Sequence, residues 1–288
     1  MIQFANDKTA PLVRDMWKTC FDDSDAFMEL YFTKKYRNEN TLIYFENGIA
    51  AASLQILPYI IRFYGKEIPC GYISGACTLP QYRGRGYMKD LLLESFRIMQ
   101  DRNIPISILI PARAPLFYFY EKYGYTQVFD KGEVPLYFKS FLYKYPYDVK
   151  EAYTQFNKEY QQTDFCILKT EEDFKIIAEE YILDGCPAKY NLAGMARILD
   201  AWSLLSLYAI RNPRQDFRVK ITDETLQTES IYHVQEATVS LIFGTEWDFE
   251  VDIQTLTRLL FGYHTNNMPD NLSTKFTEQH PVMNLMLE

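Results

Sequence analysis

Residues 79–88 read LPQYRGRGYM, and this stretch decides how the chain is interpreted. Two glycines, Gly84 and Gly86, lead into an amphipathic helix whose apolar residues recur every three to four positions. Glycine permits a backbone conformation in which successive N–H groups converge on an anion. The positive end of the helix dipole lies at the same point, and Arg83 and Arg85 add charge. The stretch predicts a phosphate-binding loop, although a glycine turn at a helix start is, taken alone, more often only a turn.

The segments around this loop predict helices and an antiparallel meander. Two helices come first, one opened by residues 9–11 and one capped by Ser24. Two hairpins follow, with strands predicted at residues 41–45, 49–57, 59–64 and 68–79. After the loop helix we expect a strand at 107–110, a helix at 116–123 and a strand at 126–129. A dinucleotide loop follows a parallel strand, so a preceding meander favours another kind of cofactor site.

The second half of the chain differs in pattern. We expect a connector with helical stretches at 149–162 and 171–180, and then a helix over 193–209. Four strands (217–222, 231–234, 237–243 and 247–251) precede a helix that Asp252 caps and that ends at Gly262. The predicted organisation is a first domain at 1–132, a connector at 133–192 and a second α+β domain at 193–288.

Composition excludes several classes of protein. Of the 288 residues 48% are hydrophobic, which excludes disorder, and no apolar run is long enough for a membrane helix. The formal charge of −8 disfavours nucleic-acid binding and slightly favours a cationic partner. Five cysteines without paired spacing and three scattered histidines predict a reduced, cytoplasmic protein without a metal site. No secretory signal is visible at the start.

The loop resembles that of the GNAT acetyltransferases, whose pyrophosphate motif is Gln/Arg-x-x-Gly-x-Gly/Ala. Gln81, Gly84 and Gly86 match it position by position. The resemblance implies an α+β fold with a mixed, mostly antiparallel sheet flanked by helices, and acetyl-CoA as co-substrate. The strand before the loop would splay from its neighbour and align the pantetheine arm. The cofactor-binding residues implied are Ala76, Cys77, Thr78, Leu79, Gln81, Arg83, Gly84, Arg85, Gly86 and Tyr87.

A second landmark of the same family follows about 35 residues later, in the sequence YEKYGY at 120–125. It matches Tyr-x-x-x-Gly-Phe/Tyr, and the resemblance implies that Tyr120 protonates the departing CoA thiolate. A phenol with a pKa near 10 suits a thiolate of pKa about 8.5 or above. Tyr118 and Tyr123 are rival assignments, and Tyr120 could also serve only in packing. Cys77 has no histidine nearby in sequence and is interpreted as a buried packing residue.

The tail resembles the sterol-carrier-like C-terminal domain of Eis-type acetyltransferases, in residues 193–200, 219–223 and 256–263. That resemblance implies that the C-terminal carboxylate, here on Glu288, reaches the active site as the general base. The chain departs from the Eis pattern in two ways. Only about 60 residues separate the two domains, so the central lobe would be shortened, and the last residue is Glu rather than an aromatic. The Glu288 side chain is therefore an alternative base.

These observations together predict an acetyl-CoA-dependent N-acetyltransferase that acts directly on a primary amine, carried by a small molecule or a peptide. Two alternatives remain: a non-catalytic acyl-CoA sensor and a carrier of an apolar ligand. We expect neither a nucleic-acid nor a membrane partner, and a homo-oligomer is possible. An RNA-binding role for Arg83–Gly86 is the weakest hypothesis, because one such unit in an acidic chain is no basic patch.

Overall fold

The computed structural model describes residues 1–146 and 148–287. The strands are β1 (Ile2–Phe4), β2 (Thr41–Glu46), β3 (Ile49–Phe63), β4 (Lys66–Thr78), β5 (Ile106–Leu109), β6 (Thr126–Phe129), β7 (Cys166–Leu168), β8 (Gly194–Ile198), β9 (Phe217–Asp223), β10 (Thr228–Gln235), β11 (Thr238–Ile242) and β12 (Phe249–Asp252). The helices are α1 (Ala10–Cys20), α2 (Asp25–Lys34), α3 (Tyr87–Asp101), α4 (Ala114–Glu121), α5 (Phe138–Lys144), α6 (Val149–Tyr160), α7 (Glu171–Leu183), α8 (Ala201–Arg211), α9 (Ile253–Leu260) and α10 (Asp270–Ser273).

The first sheet has eight strands in the order β1-β2-β3-β4-β5-β8-β6, and β7 pairs with the far part of β3. Only β4 and β5 pair in parallel; the other pairs of this sheet within the described residues are antiparallel. Helix α1 packs on one face of the sheet and α3 on the other. This confirms the predicted α+β class, a mixed and mostly antiparallel sheet flanked by helices.

Strand β3 corrects one prediction, because it continues through Pro58 where a break was expected. Pro58 pairs with Gly71 of β4 on one side, and it lies beyond the part of β3 that pairs with β2 and before the part that pairs with β7. Proline cannot donate to a ladder and is tolerated where a strand edge is uncovered. The two predicted hairpins therefore share one long strand, β3, which pairs antiparallel with β2 and with β4.

The helix predicted over 193–209 is wrong in its first part. Residues 194–198 form β8, which inserts between β5 and β6, and α8 begins at Ala201 after its cap, Asp200. A short apolar run buried on both faces cannot be distinguished from a buried helix by periodicity alone. Strand β8 thus belongs to the N-terminal sheet although it lies beyond the predicted boundary at 193. The three-part division of the chain stays a prediction.

A second sheet fills the C-terminal part, in the order β11-β10-β9-β12. Its strands agree with the four predicted ones within a few residues, and β12 pairs with β9 in parallel. The Asp252 side chain accepts a hydrogen bond from Thr255 N at 2.7 Å and so caps α9, as predicted. Between β6 and β8 in sequence, both strands of the first sheet, α5, α6 and α7 share a cluster of aromatic rings that includes Phe138, Phe156 and Phe174.

Candidate active site

The predicted phosphate loop lies between the end of β4 and the start of α3. Its backbone turns at Gly84 and Gly86, whose φ angles of +78° and +87° lie in the region that favours glycine. Within the described part of the chain, no atom lies within 4 Å of a Cβ built on either glycine. The turn is therefore set by backbone conformation, and the open space above it lets a ligand approach the main chain.

The first turn of α3 presents hydrogen-bond donors to that space. Gly86 occupies the N-cap position and has no side chain to cap the helix. The helix ladder begins with Asp90 N, which donates to Gly86 O at 3.1 Å. The N–H groups of residues 87–89 therefore have no carbonyl partner within the helix. Free donors at the positive end of a helix dipole form a binding site for an anion.

The two arginines of the loop are held by contacts to main-chain carbonyls of the loop region and, for Arg85, by an ion pair with Glu46 of β2. Arg83 Nε donates to Thr78 O at 3.1 Å. The Arg85 guanidinium donates to Glu46 Oε2 at 3.1 Å and to Gln81 O at 3.2 Å. Both residues are exposed. The loop thus carries two positive charges beside the open helix end.

Gln81 and Tyr87, two further predicted residues, differ in their exposure. Gln81 is exposed at the turn, while the Tyr87 ring is buried and stacks on Tyr44 with centroids 4.2 Å apart. Tyr87 can therefore contact a ligand through its main-chain N–H, and its ring fixes the start of α3.

Strands β4 and β5 separate towards the loop. They pair only where Cys70–Tyr72 faces Ile106–Ile108, and β5 ends at Leu109 while β4 continues to Thr78. Among the residues that the structure describes, no strand covers this edge of β4 beyond Tyr72. The predicted segment Ala76–Leu79 lies on the uncovered edge, so its main-chain groups are available to a ligand.

A bulge in β4 shapes this edge, and the sequence interpretation did not identify it. The register between β3 and β4 shifts between Ser53 and Gln55, opposite Gly75, whose φ is +56°. A Cβ on Gly75 would lie 2.4 Å from the Trp17 ring, so only glycine fits. An isolated glycine inside a strand pattern is a recognised sign of a bulge. That sign was present in the sequence.

Tyr120 lies in the second turn of α4, and its side chain is 8% exposed. It belongs to the hydrophobic cluster that also contains Ile73 of β4 and Leu91 of α3. Its hydroxyl has no hydrogen-bond partner among residues 1–146 and 148–287, and burial raises its pKa to about 12. Of its rivals, Tyr118 is 72% exposed and Tyr123 is half-buried, so Tyr120 is the buried one of the three.

Gly124, the glycine of the second landmark, is required by a buried arginine. Its φ is +77°, and a Cβ there would lie 1.6 Å from the Arg197 guanidinium. Arg197 of β8 donates to Tyr123 O at 2.8 Å and to Asp223 Oδ2 at 2.6 Å. The landmark is thus packed against the strand that inserts into the sheet and is linked through Asp223 to the second sheet.

Cys77 is buried on the α1 face of the sheet, with its Sγ 3.4 Å from Ser53 Oγ. Its contact with Cys20 and its burial raise the pKa of its thiol well above the usual value. A thiol held in the protonated form is a poor nucleophile, which agrees with the packing role inferred from the sequence. Cys20, at the end of α1, was missed because its proximity to β4 arises only in the fold.

The predicted base, Glu288, lies outside the described residues. The segment before it is buried, including Met283, Leu285, Met286 and Leu287, each 2% exposed or less. Lys169, also buried, donates to Asn284 Oδ1 at 3.0 Å, and Leu192 N donates to Met283 O at 2.7 Å. The chain is therefore held in the interior up to Leu287.

Other predicted features can be placed in the described residues. These contain neither a cluster of three or more His, Cys, Asp or Glu side chains arranged for a metal ion nor a helix long and apolar enough to cross a membrane. An apolar groove of about 520 Å³ lies between α5 and α7, lined by residues that include Leu142, Tyr143 and Ile182. This groove lies in the connector, whereas the apolar-carrier hypothesis places its cavity in residues 193–288.

The comparisons with known proteins agree with this geometry. Residues 1–128 match the family model described as an acetyltransferase (GNAT) domain. A comparison with curated protein sequences gave no significant match.

Three solved structures resemble the chain over almost its whole length. A probable N-acyltransferase from Enterococcus faecalis, a conserved protein of unknown function, has a TM-score of 0.72 at 14% identity and covers 99% of this chain and 98% of its own. A GCN5-related N-acetyltransferase from Anabaena variabilis has a TM-score of 0.70 at 14% identity and covers 98% of both chains. Eis1 from Mycobacterium abscessus has a TM-score of 0.65 at 12% identity and covers 99% of both. The whole chain therefore shares the fold of these proteins, and its first 128 residues match the model of a GNAT acetyltransferase domain.

Proposed function

We propose that the chain is an acetyl-CoA-dependent N-acetyltransferase that transfers the acetyl group directly to a primary amine. The observation that carries this proposal is the combination, within residues 1–146 and 148–287, of an uncapped helix start, an uncovered edge of β4 and a tyrosine hydroxyl without a hydrogen-bond partner. Each feature matches a different part of acetyl-CoA: the pyrophosphate, the pantetheine arm and the thioester. The same acetyltransferase domain contains all three.

The loop would hold the pyrophosphate through main-chain donors. The N–H groups of residues 87–89 point out of the start of α3, and Arg83 and Arg85 lie beside them. Hydrogen bonds between N–H groups and an anion are stronger than those between neutral groups, and the helix dipole adds to them. The open space above Gly84 and Gly86 would admit the phosphates without displacing a side chain.

The edge of β4 would align the thioester. Within the described residues, the main-chain groups of 73–78 have no partner strand on the β5 side, so the amides of the pantetheine arm would pair there as a short strand does. This pairing would place the acetyl carbon at a fixed distance from the amine. Positioning of both reactants would supply much of the rate acceleration.

Tyr120 would act as a hydrogen-bond donor to the leaving sulfur. Its pKa of about 12 means that it stays protonated at neutral pH. Complete transfer of its proton to a thiolate of pKa about 8.5 would cost about 5 kcal/mol. The structure thus favours stabilisation of the thiolate by a hydrogen bond over the full proton transfer suggested by an unperturbed phenol. The buried surroundings strengthen such a bond.

The amine must lose a proton as it attacks, and we assign this step to the C-terminal residue, Glu288, through either its main-chain or its side-chain carboxylate. The buried segment up to Leu287 supports the assignment, since it holds the residue before Glu288 in the protein interior. A cationic amine, on a small molecule or a peptide, fits the net charge of −8.

The proposal is tested by measuring CoA thiol release with acetyl-CoA and a panel of primary amines. We expect turnover with at least one amine, and Tyr120→Phe should lower kcat by about 10² while leaving the Kd for acetyl-CoA unchanged. Tyr118→Phe, a change on the exposed side of the same helix, is the matched control and should keep the wild-type rate. Binding of acetyl-CoA without turnover on any amine would support the acyl-CoA sensor instead.

A second test addresses the terminal base. Adding a short Gly-Ser extension after Glu288 moves the main-chain carboxylate away, and Glu288→Gln removes only the side-chain carboxylate. If the main-chain group is the base, the extension should abolish turnover with acetyl-CoA binding retained, while Glu288→Gln stays active. Full activity of both variants would contradict the assignment.

A further inference from the structure

Two cysteines from distant parts of the chain meet beside the proposed cofactor site. Cys20 is the last residue of α1, and its Sγ donates to Thr78 O at 3.6 Å. Cys77 is the residue before Thr78 on β4, and its Sγ lies 3.4 Å from Ser53 Oγ. The end of α1 therefore lies against the end of the strand that leads into the phosphate loop.

The two thiols differ in reactivity because of their surroundings. Cys20 is partly exposed, and a hydrogen bond from the Cys77 thiol is the main cause that lowers its pKa to about 7; Arg83 contributes by a hydrogen bond and by its charge. Cys77 is 5% exposed and stays protonated, since its contact with Cys20 and its burial raise its pKa. An accessible thiolate beside a buried thiol is the arrangement of a redox-active pair.

Two other cysteines lack these features. Cys70 and Cys166 are fully buried, and burial raises the pKa of both thiols. Neither is expected to react with an oxidant in the folded protein. The chemistry is therefore specific to the pair at the end of β4.

We propose that Cys20 and Cys77 form an oxidation site, at which a hydroperoxide converts the two thiols into a disulfide beside the cofactor loop. Formation of this bond does not depend on the proposed activity. Its effect on acetyl-CoA binding does rest on that activity.

The reaction balances in two steps with hydrogen peroxide as the oxidant. The Cys20 thiolate attacks one peroxide oxygen, the O–O bond breaks, and Cys20 becomes a sulfenic acid while hydroxide leaves and takes up a proton. The Cys77 thiol then passes its proton to the hydroxyl of the sulfenic acid as its sulfur attacks the Cys20 sulfur, so that the S–O bond breaks and water leaves; this proton transfer activates a thiol that is a poor nucleophile by itself. In total two thiols and one peroxide give one disulfide and two waters. A dithiol reductant reverses the bond by exchange.

The disulfide would change the cofactor site because it replaces a loose contact by a covalent bond. An S–S bond is about 2.05 Å long and has a restricted dihedral angle, so residue 77 and the end of α1 must move together. Cys20 would also lose the contacts of both its protonation states: the thiolate, which Arg83 stabilises, and the thiol, which donates a hydrogen bond to Thr78 O. Both changes act on the segment 76–79 that we assign to the pantetheine arm. We therefore expect the oxidised form to bind acetyl-CoA more weakly.

The first experiment treats the full-length protein with hydrogen peroxide and maps peptides by mass spectrometry without reduction. We expect a Cys20–Cys77 peptide pair that has lost two hydrogen atoms and that dithiothreitol separates. Cys20→Ser keeps a donor for Thr78 O and should prevent the link, whereas Cys186→Ser, at a partly exposed cysteine elsewhere, should not. Recovery of Cys20 as a thiol or sulfonic acid, with Cys77 unlinked, would overturn the proposal.

A measurement on the unaltered protein keeps the test independent of the variants. The rate of iodoacetamide labelling at Cys20, followed by mass spectrometry, should rise with a midpoint near pH 7. Labelling at Cys77 should stay slow across the same range. A Cys20 midpoint near that of an ordinary thiol, about 8.5, would contradict the activated pair.

The second experiment measures acetyl-CoA binding by calorimetry in the reduced and oxidised forms. The disulfide should raise the Kd by about tenfold, a coupling typical of linked sites, and dithiothreitol should restore the reduced value. Cys20→Ser should keep the reduced Kd after peroxide. An oxidised form with an unchanged Kd would refute the effect on the cofactor site, whereas failure of the reduced protein to bind acetyl-CoA would refute the proposed function.

Discussion

The buried ion pair between Arg197 and Asp223 gives the sharpest stability prediction. Arg197 is fully buried on β8, and its guanidinium lies 4.7 Å from the centre of the Phe96 ring and 2.6 Å from Asp223 Oδ2. Burial lowers the pKa of Arg197, and the charge of Asp223 opposes that effect. The pair joins the first sheet to the second sheet, so its loss is expected to weaken both.

Asp223→Asn isolates the charge. Asp223 Oδ1 accepts hydrogen bonds from Thr225 N at 3.0 Å and Leu226 N at 3.1 Å, and an asparagine oxygen can keep both. The asparagine NH₂ group then faces the Arg197 guanidinium, donor against donor, and leaves a buried charge without its counter-ion. Breaking one side of a buried pair costs about 3 to 5 kcal/mol. At about 2 to 4 °C per kcal/mol for a chain of this size, Tm should fall by about 6 to 20 °C.

The assay is urea unfolding together with a thermal scan, with Asp101→Asn as the matched control. Asp101 pairs with Arg97 at 2.6 Å, but both side chains are more than half exposed, so that change should cost less than about 1 kcal/mol. The double variant Arg197→Met/Asp223→Asn should recover part of the loss, because no charge is then left buried. If Asp223→Asn costs no more than Asp101→Asn, the reasoning is refuted.

Two further predictions follow from other buried sites. Gly75→Ala places a Cβ against the Trp17 ring and should lower the free energy of unfolding by about 2 to 4 kcal/mol. Gly65 also has a positive φ but has open space around it, so Gly65→Ala is the control and should cost about 1 kcal/mol. Equal costs in chemical denaturation would contradict the packed bulge. Burial raises the pKa of Glu180 from 4.5 to about 7. Between pH 4.5 and pH 7 the Glu180 carboxyl therefore keeps its proton in the folded protein but has lost it in the unfolded chain. The free energy of unfolding should therefore fall by about 3 kcal/mol as pH rises through this window, and Glu180→Gln should remove that part of the pH dependence; identical pH profiles of the two proteins would refute it.

The loop and the meander could be predicted from the sequence because their signals are local. Glycines at 84 and 86 and the apolar period of α3 fix the turn and the helix within one stretch of chain. The caps at Ser24 and Asp252 are equally local, and both accept the expected main-chain hydrogen bonds. Such features depend on residues a few positions apart.

The parts that were missed depend on contacts between distant residues. Strand β8 pairs with β5 about 90 residues earlier, and nothing in its own sequence distinguishes it from a buried helix. Arg197 lies on that strand, where a charged residue is buried only because Asp223 and the Gly124 turn make room for it. The contact of Cys20 with β4 is likewise created by the packing of α1. For these features, the local sequence pattern does not indicate which distant residue of the chain will lie in contact.

Calorimetric titration of acetyl-CoA into the reduced protein measures whether the cofactor binds at the loop before α3. Gly86→Ala places a methyl group in the open space above the helix start, while Gly65→Ala makes the same change at another open turn of positive φ. We expect acetyl-CoA to bind the wild type saturably. The Kd should be unchanged for Gly65→Ala and raised by about tenfold or more for Gly86→Ala. Absence of binding to the folded wild type, or an unchanged Kd for Gly86→Ala, would contradict binding at this loop.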